Sequence, residues 1–221
     1  MLVRRILAGG CVMNDQLFAL HITWTCYGTW LPGDSRGHTS RALDCNRNFL
    51  PRENLPGTPL APGDAKTLAY ARSQQKHATV YLDAELATLV CHSLVRAAAE
   101  RTWRILRAAV MANHVHCLVM DCPSDGSAVR RILKGVSQSD LCKHTGHPSR
   151  WWTAGGSDRY KNDDEAIETA IHYIANQENI LAEIIDMEVS AGSEQERAAS
   201  VNEPPFFLAK SSKSTTSHAD K

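Results

Sequence analysis

The stretch Ala109-Val110-Met111-Ala112-Asn113-His114-Val115-His116-Cys117-Leu118-Val119-Met120 decides the reading of this chain. It is apolar, as a strand in a sheet requires, and two histidines interrupt it one residue apart. Residues i and i+2 of a strand share a face about 7 Å apart, so His114 and His116 stand side by side. Val115, Cys117, Leu118 and Val119 supply the apolar surface that seats the strand and makes it a rigid mount. Two imidazoles so placed are half of a metal site. A hydrogen-bonded polar pair on a strand is the commoner fate of such residues, so a metal reading needs a third donor from elsewhere.

Sixty residues on, Asp163-Asp164-Glu165-Ala166-Ile167-Glu168-Thr169-Ala170-Ile171-His172-Tyr173-Ile174-Ala175-Asn176-Gln177-Glu178-Asn179 reads as a helix. Its acids gather where a helix N-terminus favours negative charge, and Ile167, Ala170, Ile171 and Ile174 recur at helical spacing. Asn162 is the expected N-cap. Tyr173 and Gln177, four residues apart, then neighbour one another on one face. Singly, each is better read as a packing tyrosine and a surface amide. Beside a His-x-His strand they become a candidate nucleophile and a candidate oxygen ligand.

These two segments resemble the small single-tyrosine transposases of the HUH class, which include the REP-associated tyrosine transposases of bacteria. Met111-Ala112-Asn113-His114-Val115-His116 is similar to the family's M-P-N-H-V-H strand, with Ala112 in place of the usual proline. Tyr173-Ile174-Ala175-Asn176-Gln177 is similar to its tyrosine helix, and His21-Ile22-Thr23-Trp24-Thr25-Cys26-Tyr27-Gly28-Thr29-Trp30-Leu31-Pro32-Gly33-Asp34-Ser35-Arg36-Gly37 to the opening strand and loop of one branch. The likeness runs from about residue 17 to about residue 182.

What the resemblance implies is specific. His114, His116 and Gln177 would hold a divalent cation, Mg²⁺ in the cell with Mn²⁺ as an alternative, which neutralises and orients a scissile phosphate. Tyr173 would attack phosphorus, leaving a 5′-phosphotyrosyl link and a free 3′-hydroxyl. A protein nucleophile stores the bond for rejoining without ATP, and no G-x-x-x-x-G-K-[ST] loop occurs in the chain. The expected partner is single-stranded or hairpin DNA. Relatives work as homodimers, some exchanging the tyrosine helix, or as monomers, and both states stay open. A bacterial cytoplasm is the implied location.

Composition bounds the alternatives. A chain of 221 residues supports one good core, and no apolar run is long enough for a membrane span. Seven cysteines, an odd number without C-x-x-C pairing, argue against a disulfide framework or a zinc knuckle and suit a reducing compartment. Met1-Leu2-Val3-Arg4-Arg5-Ile6-Leu7-Ala8 lacks the apolar length of a secretory signal, and Met13 is an alternative start. A net charge of zero opposes nucleic-acid binding. Its distribution softens that objection: Arg96, Arg101, Arg104 and Arg107 precede the histidine strand, and Arg130, Arg131, Lys134, Lys143, Arg150, Arg159 and Lys161 follow it. Acids gather at Glu183, Asp186, Glu188, Glu194 and Glu196.

The expected fold class is α+β: a ferredoxin-like β-α-β-β-α-β sandwich with an additional C-terminal helix carrying Tyr173. Strands are expected at about 17–25, 103–111 and 114–120, with a weaker fourth near 151–160. Helices are expected at 84–100 and 127–144, with Leu86, Leu89, Val90, Leu94 and Val95 inward on the first and Val129, Ile132, Leu133 and Val136 on the second. The divisions are an extension at 1–16, the transposase-like domain at 17–182 with a long insertion at about 31–79, and a polar tail at 183–221, disordered on composition. Arg36, Arg41, Arg47 and Arg52 make the insertion a DNA contact or a solvated loop with equal weight. Trp30, Trp151 and Trp152 are stacking platforms for bases or, more commonly, core residues. Two other classes compete: a non-catalytic nucleic-acid-binding module of the same fold, and a metal-dependent hydrolytic nuclease in which Tyr173 is structural.

Overall fold

The computed structural model describes residues 18–35, 46, 48, 49, 63–147 and 149–192. Along the chain run β1 (Ala19–Thr25), α1 (Ala65–Ser73), α2 (Ala84–Ala99), β2 (Arg104–Met111), β3 (His114–Met120), α3 (Gly126–Thr145), β4 (Ser157–Lys161), α4 (Asp164–Ala175), β5 (Ile180–Ile185) and β6 (Glu188–Ala191). The fold is mixed α+β. Its strands form one antiparallel sheet in the order β4-β1-β3-β2-β5-β6, which sets the histidine strand β3 between β1 and β2.

Period-two alternation explains how the sheet is covered on both faces. Leu20, Ile22 and Trp24 of β1, Val115, Cys117 and Val119 of β3, and Ala108 and Val110 of β2 face one side with the buried residues of α2 and α3. On the other side Ala19, Ala109, Met111, Leu118 and Met120 meet Ile167, Ala170 and Ile174 of α4, with Ile180. Helix ends are set by side chains. Asp83, Asp125 and Asp163 cap α2, α3 and α4 by accepting N–H bonds from Leu86, Ala128 and Ala166, and α3 stops at Gly146, whose φ of 69° suits glycine.

Several boundaries differ from expectation. The cap of α4 is Asp163 rather than Asn162, one residue later. The helix ends at Ala175, with Asn176 as its C-cap, so Gln177 lies beyond it. Within the 31–79 insertion the chain forms α1, nucleated by Asp64, which accepts bonds from the Lys66 and Thr67 amides. Its polar composition buries only Thr67, so no apolar stripe announces it. The boundary at 182/183 falls inside β5: Ile180, Ala182 and Ile184 alternate into the sheet, and β6 pairs beyond them. Glu183 and Asp186 look like tail acids but pair with Arg107 and Arg104. Residues 1–16 and 193–221, with Arg36, Arg41, Arg47 and Arg52, lie outside the described residues. Trp151 and Trp152 are buried in the core rather than offered as stacking platforms. No helix among the described residues is long and apolar enough to cross a membrane.

Candidate active site

The face of the sheet beneath α4 changes character along its length. Where β1 and β3 run toward the β2–β3 turn, the apolar residues give way to Thr25, Thr23, His21, His116 and His114. The register sets Thr23 opposite His116 and Thr25 opposite His114. Side chains directly or diagonally opposed in an antiparallel pair are within reach of one another, and here they bond. His116 Nδ1 lies 2.9 Å from Thr23 Oγ1 and 3.1 Å from His21 Nε2. His114 Nδ1 lies 2.6 Å from Asn113 Oδ1.

The turn that carries this pair is tightly held. The Cys26 amide donates to the Asn113 carbonyl at 2.8 Å and the Leu82 amide to the Ala112 carbonyl at 2.8 Å, while Thr29 Oγ1 donates to Asn113 at 3.2 Å. Stiffness that a proline at position 112 would give is thus supplied by hydrogen bonds from two other segments.

Tyr173 arrives from the last turn of α4. Ile174, the next residue, is wholly buried, whereas Tyr173 is 52% exposed, so the helix is anchored through one residue and presents the other. The phenol ring stands edge-on to His116 at 5.5 Å between centroids and to His21 at 5.7 Å, and the His114 and His116 rings are 5.0 Å apart. The structure therefore brings His114, His116 and Tyr173 together. Gln177 touches the same turn differently from an i, i+4 helical pair: its Nε2 donates to the Tyr173 carbonyl at 3.0 Å. Among the described residues its Oε1 is left without a protein partner.

Burial keeps the His116 and His21 imidazoles neutral. Burial, with His114 and His21 adding to it, pushes His116 down to about 3. Burial, with Lys161 and Arg159 adding to it, pushes His21 down to about 4. A neutral His116 is what metal ligation requires, and a ring held through Nδ1 ligates through Nε2. Two imidazoles and an amide oxygen make a donor set that fits a divalent cation with room for phosphate oxygens. Among the described residues no three His, Cys, Asp or Glu side chains are gathered as a metal cluster.

His21 is the member of this cluster that sequence reasoning passed over. It lies in the strand quoted for the resemblance, and its period-two relation to Thr23 is visible in the sequence. What the sequence lacks is the β1–β3 register, which alone puts it diagonal to His116.

No protein-family model and no curated protein matches the chain. Among solved structures, a REP-associated tyrosine transposase bound to a REP hairpin is similar at a TM-score of 0.37 and 12% sequence identity, over 79% of this chain and 70% of that one. A superposition that loose carries no argument about activity.

Proposed function

We propose that the chain is a metal-dependent DNA strand transferase that cleaves and rejoins single-stranded or hairpin-bearing DNA through a 5′-phosphotyrosyl intermediate. The observation that carries this reading is the meeting of Tyr173 from α4 with the His-x-His pair of β3, at 5.5 Å between the Tyr173 and His116 rings. Residues chosen from two motifs sixty positions apart share one face of one sheet. On the same reading the β4-β1-β3-β2 portion is the ferredoxin-like core, and β5 and β6 extend it beyond β2.

Each side chain has a part in the chemistry. Tyr173 Oη forms a bond to phosphorus as the P–O3′ bond breaks; the phenol gives up its proton and the departing 3′-oxygen gains one. Half-exposure lets a strand reach the phenol, and Ile174 in the core fixes the direction from which it is offered. His114, His116 and Gln177 would hold Mg²⁺ or Mn²⁺, which when bound neutralises phosphate charge. His21 and Thr23 orient the His116 ring through Nδ1.

The deciding experiment incubates the protein with labelled single-stranded DNA from the flanks of its own gene, with Mg²⁺ or EDTA, and resolves products on a denaturing gel. A metal-dependent protein–DNA adduct that is lost in Tyr173→Phe is expected. Cleavage without an adduct, retained in Tyr173→Phe, would establish a hydrolytic nuclease instead. Binding with neither product would leave a non-catalytic module.

A further inference from the structure

The basic residues fall into two groups once the fold is formed. Those before the histidine strand are matched by carboxylates: Arg96 by Asp140 and Glu100, Arg101 by Glu100, Arg104 by Asp186, and Arg107 by Glu183. Among the described residues Arg131, Arg150, Arg159 and Lys161 have no carboxylate within ion-pair distance; Arg130 alone of those near β4 meets one, Asp158. Arg159 and Lys161 lie on β4, the terminal strand of the sheet, and Arg130 and Arg131 line a recess beside it, while Arg150 stands over the Tyr27 ring.

On the α3 side of that strand Ser127, Arg130, Arg131, Lys134 and Gly155 line a recess of about 340 Å³. Its shape is built. Lys134 Nζ donates to the Thr153 and Gly155 carbonyls, both at 2.6 Å. Burial, with Arg130 and Arg150 adding to it, pushes the ammonium down to about 8. Gly156 has a φ of 144°, and a Cβ there would stand 2.6 Å from Arg130 Cδ and 2.6 Å from the Thr23 carbonyl oxygen. The chain thus passes directly between the recess and β1 at the residue that bonds His116.

Arg159 and Lys161 stand opposite His21 and Ala19 in the β1–β4 register, on the face that carries Tyr173. Positive charge therefore continues around the β4 edge from the recess to the candidate active site. An isolated anion would be satisfied by the recess alone; a band that wraps an edge matches a polyanion.

We propose that the recess of Arg130, Arg131, Lys134 and Gly155 binds a backbone phosphate of the same DNA strand whose reacting phosphate lies at Tyr173, so that the strand crosses the β4 edge. The inference rests on the strand-transfer reading for what lies at Tyr173. It specifies a second, sequence-independent anchor on the opposite face of the sheet.

The test measures binding of a fluorescent single-stranded oligonucleotide across a salt series, in EDTA and in a Tyr173→Phe background, so that no chemistry intervenes. Arg131 lines the recess and is exposed, and Arg131→Ala is expected to fold normally. One lost phosphate contact should reduce the slope of log K against log salt by about 0.7, with affinity falling alike across unrelated sequences. An unchanged slope overturns the proposal. So does inorganic phosphate competing at the same concentration as the oligonucleotide, since that marks a lone-anion site. A reduced slope in a protein that forms no adduct with any flanking DNA keeps the anchor and sinks the transferase; an adduct with an unchanged slope does the reverse.

Discussion

Replacing Ile174 by alanine probes whether the floor under α4 is what aims Tyr173. Ile174 is fully buried with Ala109, Met111, Leu118 and Ile180, and it directly follows a tyrosine whose own ring is half in solvent. Truncation removes three carbons; at about 0.8 kcal/mol each, transfer alone gives about 2.4 kcal/mol. The space left behind brings the loss to about 3–4 kcal/mol, inside the range for such changes in packed cores. Urea unfolding should show the midpoint falling with an unchanged m-value. The adduct-forming rate, measured where both proteins are folded, should fall at least about tenfold, since a shift near 1 Å at a reacting group is costly. Glu168→Ala, on the exposed side of α4, should stay within about 0.5 kcal/mol. A loss under about 1 kcal/mol, or normal stability loss with an unchanged adduct rate, would refute the idea that this packing positions the phenol.

His21→Leu keeps the fold but removes one of two partners at His116 Nδ1, and metal affinity measured by calorimetry should fall about 10- to 100-fold; equal affinity would show that Thr23 suffices. Burial pushes the Cys26 and Cys91 thiols up from 9.0 to about 12 and Cys122 to about 11, and raises Cys117 as well. Folding therefore holds protons that the unfolded chain releases above pH 9, so this stability is complete below that value and is lost as pH rises. At pH 10 each thiol costs about 1.4 kcal/mol, and Cys91→Ala should lessen the loss between pH 8 and 10 by that amount in reductant-containing urea titrations. An unaltered loss would exclude Cys91 from the effect. Gly156→Ala forces a Cβ against the Thr23 carbonyl at positive φ and should lower thermal stability while loosening β4, read as faster amide exchange at 157–161; unchanged exchange there would show that the loop yields without cost.

The local elements of this protein were legible because each carries its own signal. β3 occupies His114–Met120 as the alternation requires, and α2, α3 and α4 follow their apolar stripes and their aspartate caps. What the sequence withheld depends on partners far away in the chain. β5 alternates cleanly, yet Glu183 and Asp186 disguise it as tail, because their arginines sit on β2. α1 has almost no buried face to announce it, and the end of α4 at Ala175 is set by an asparagine cap, which carries Gln177 off the helix while leaving its amide on the Tyr173 carbonyl.

The same distinction governs the candidate site. His114, His116 and Tyr173 could be chosen from motif and spacing, because a strand and a helix each fix their own faces. His21 could not, since its place beside His116 is a property of strand register. Charge follows this rule most clearly. The sequence shows one basic cluster before the histidine strand and another after it, but in the fold the first is paired with Asp140, Glu100, Asp186 and Glu183. Of the second cluster, among the described residues, Arg131, Arg159 and Lys161 keep no carboxylate within ion-pair distance, and β4 lies against the strand that carries His21 and Thr23. A net charge of zero is therefore no obstacle to a polyanion at this edge, because position matters more than the total: Glu183 and Asp186 are held by Arg107 and Arg104 at β2, across the sheet from β4.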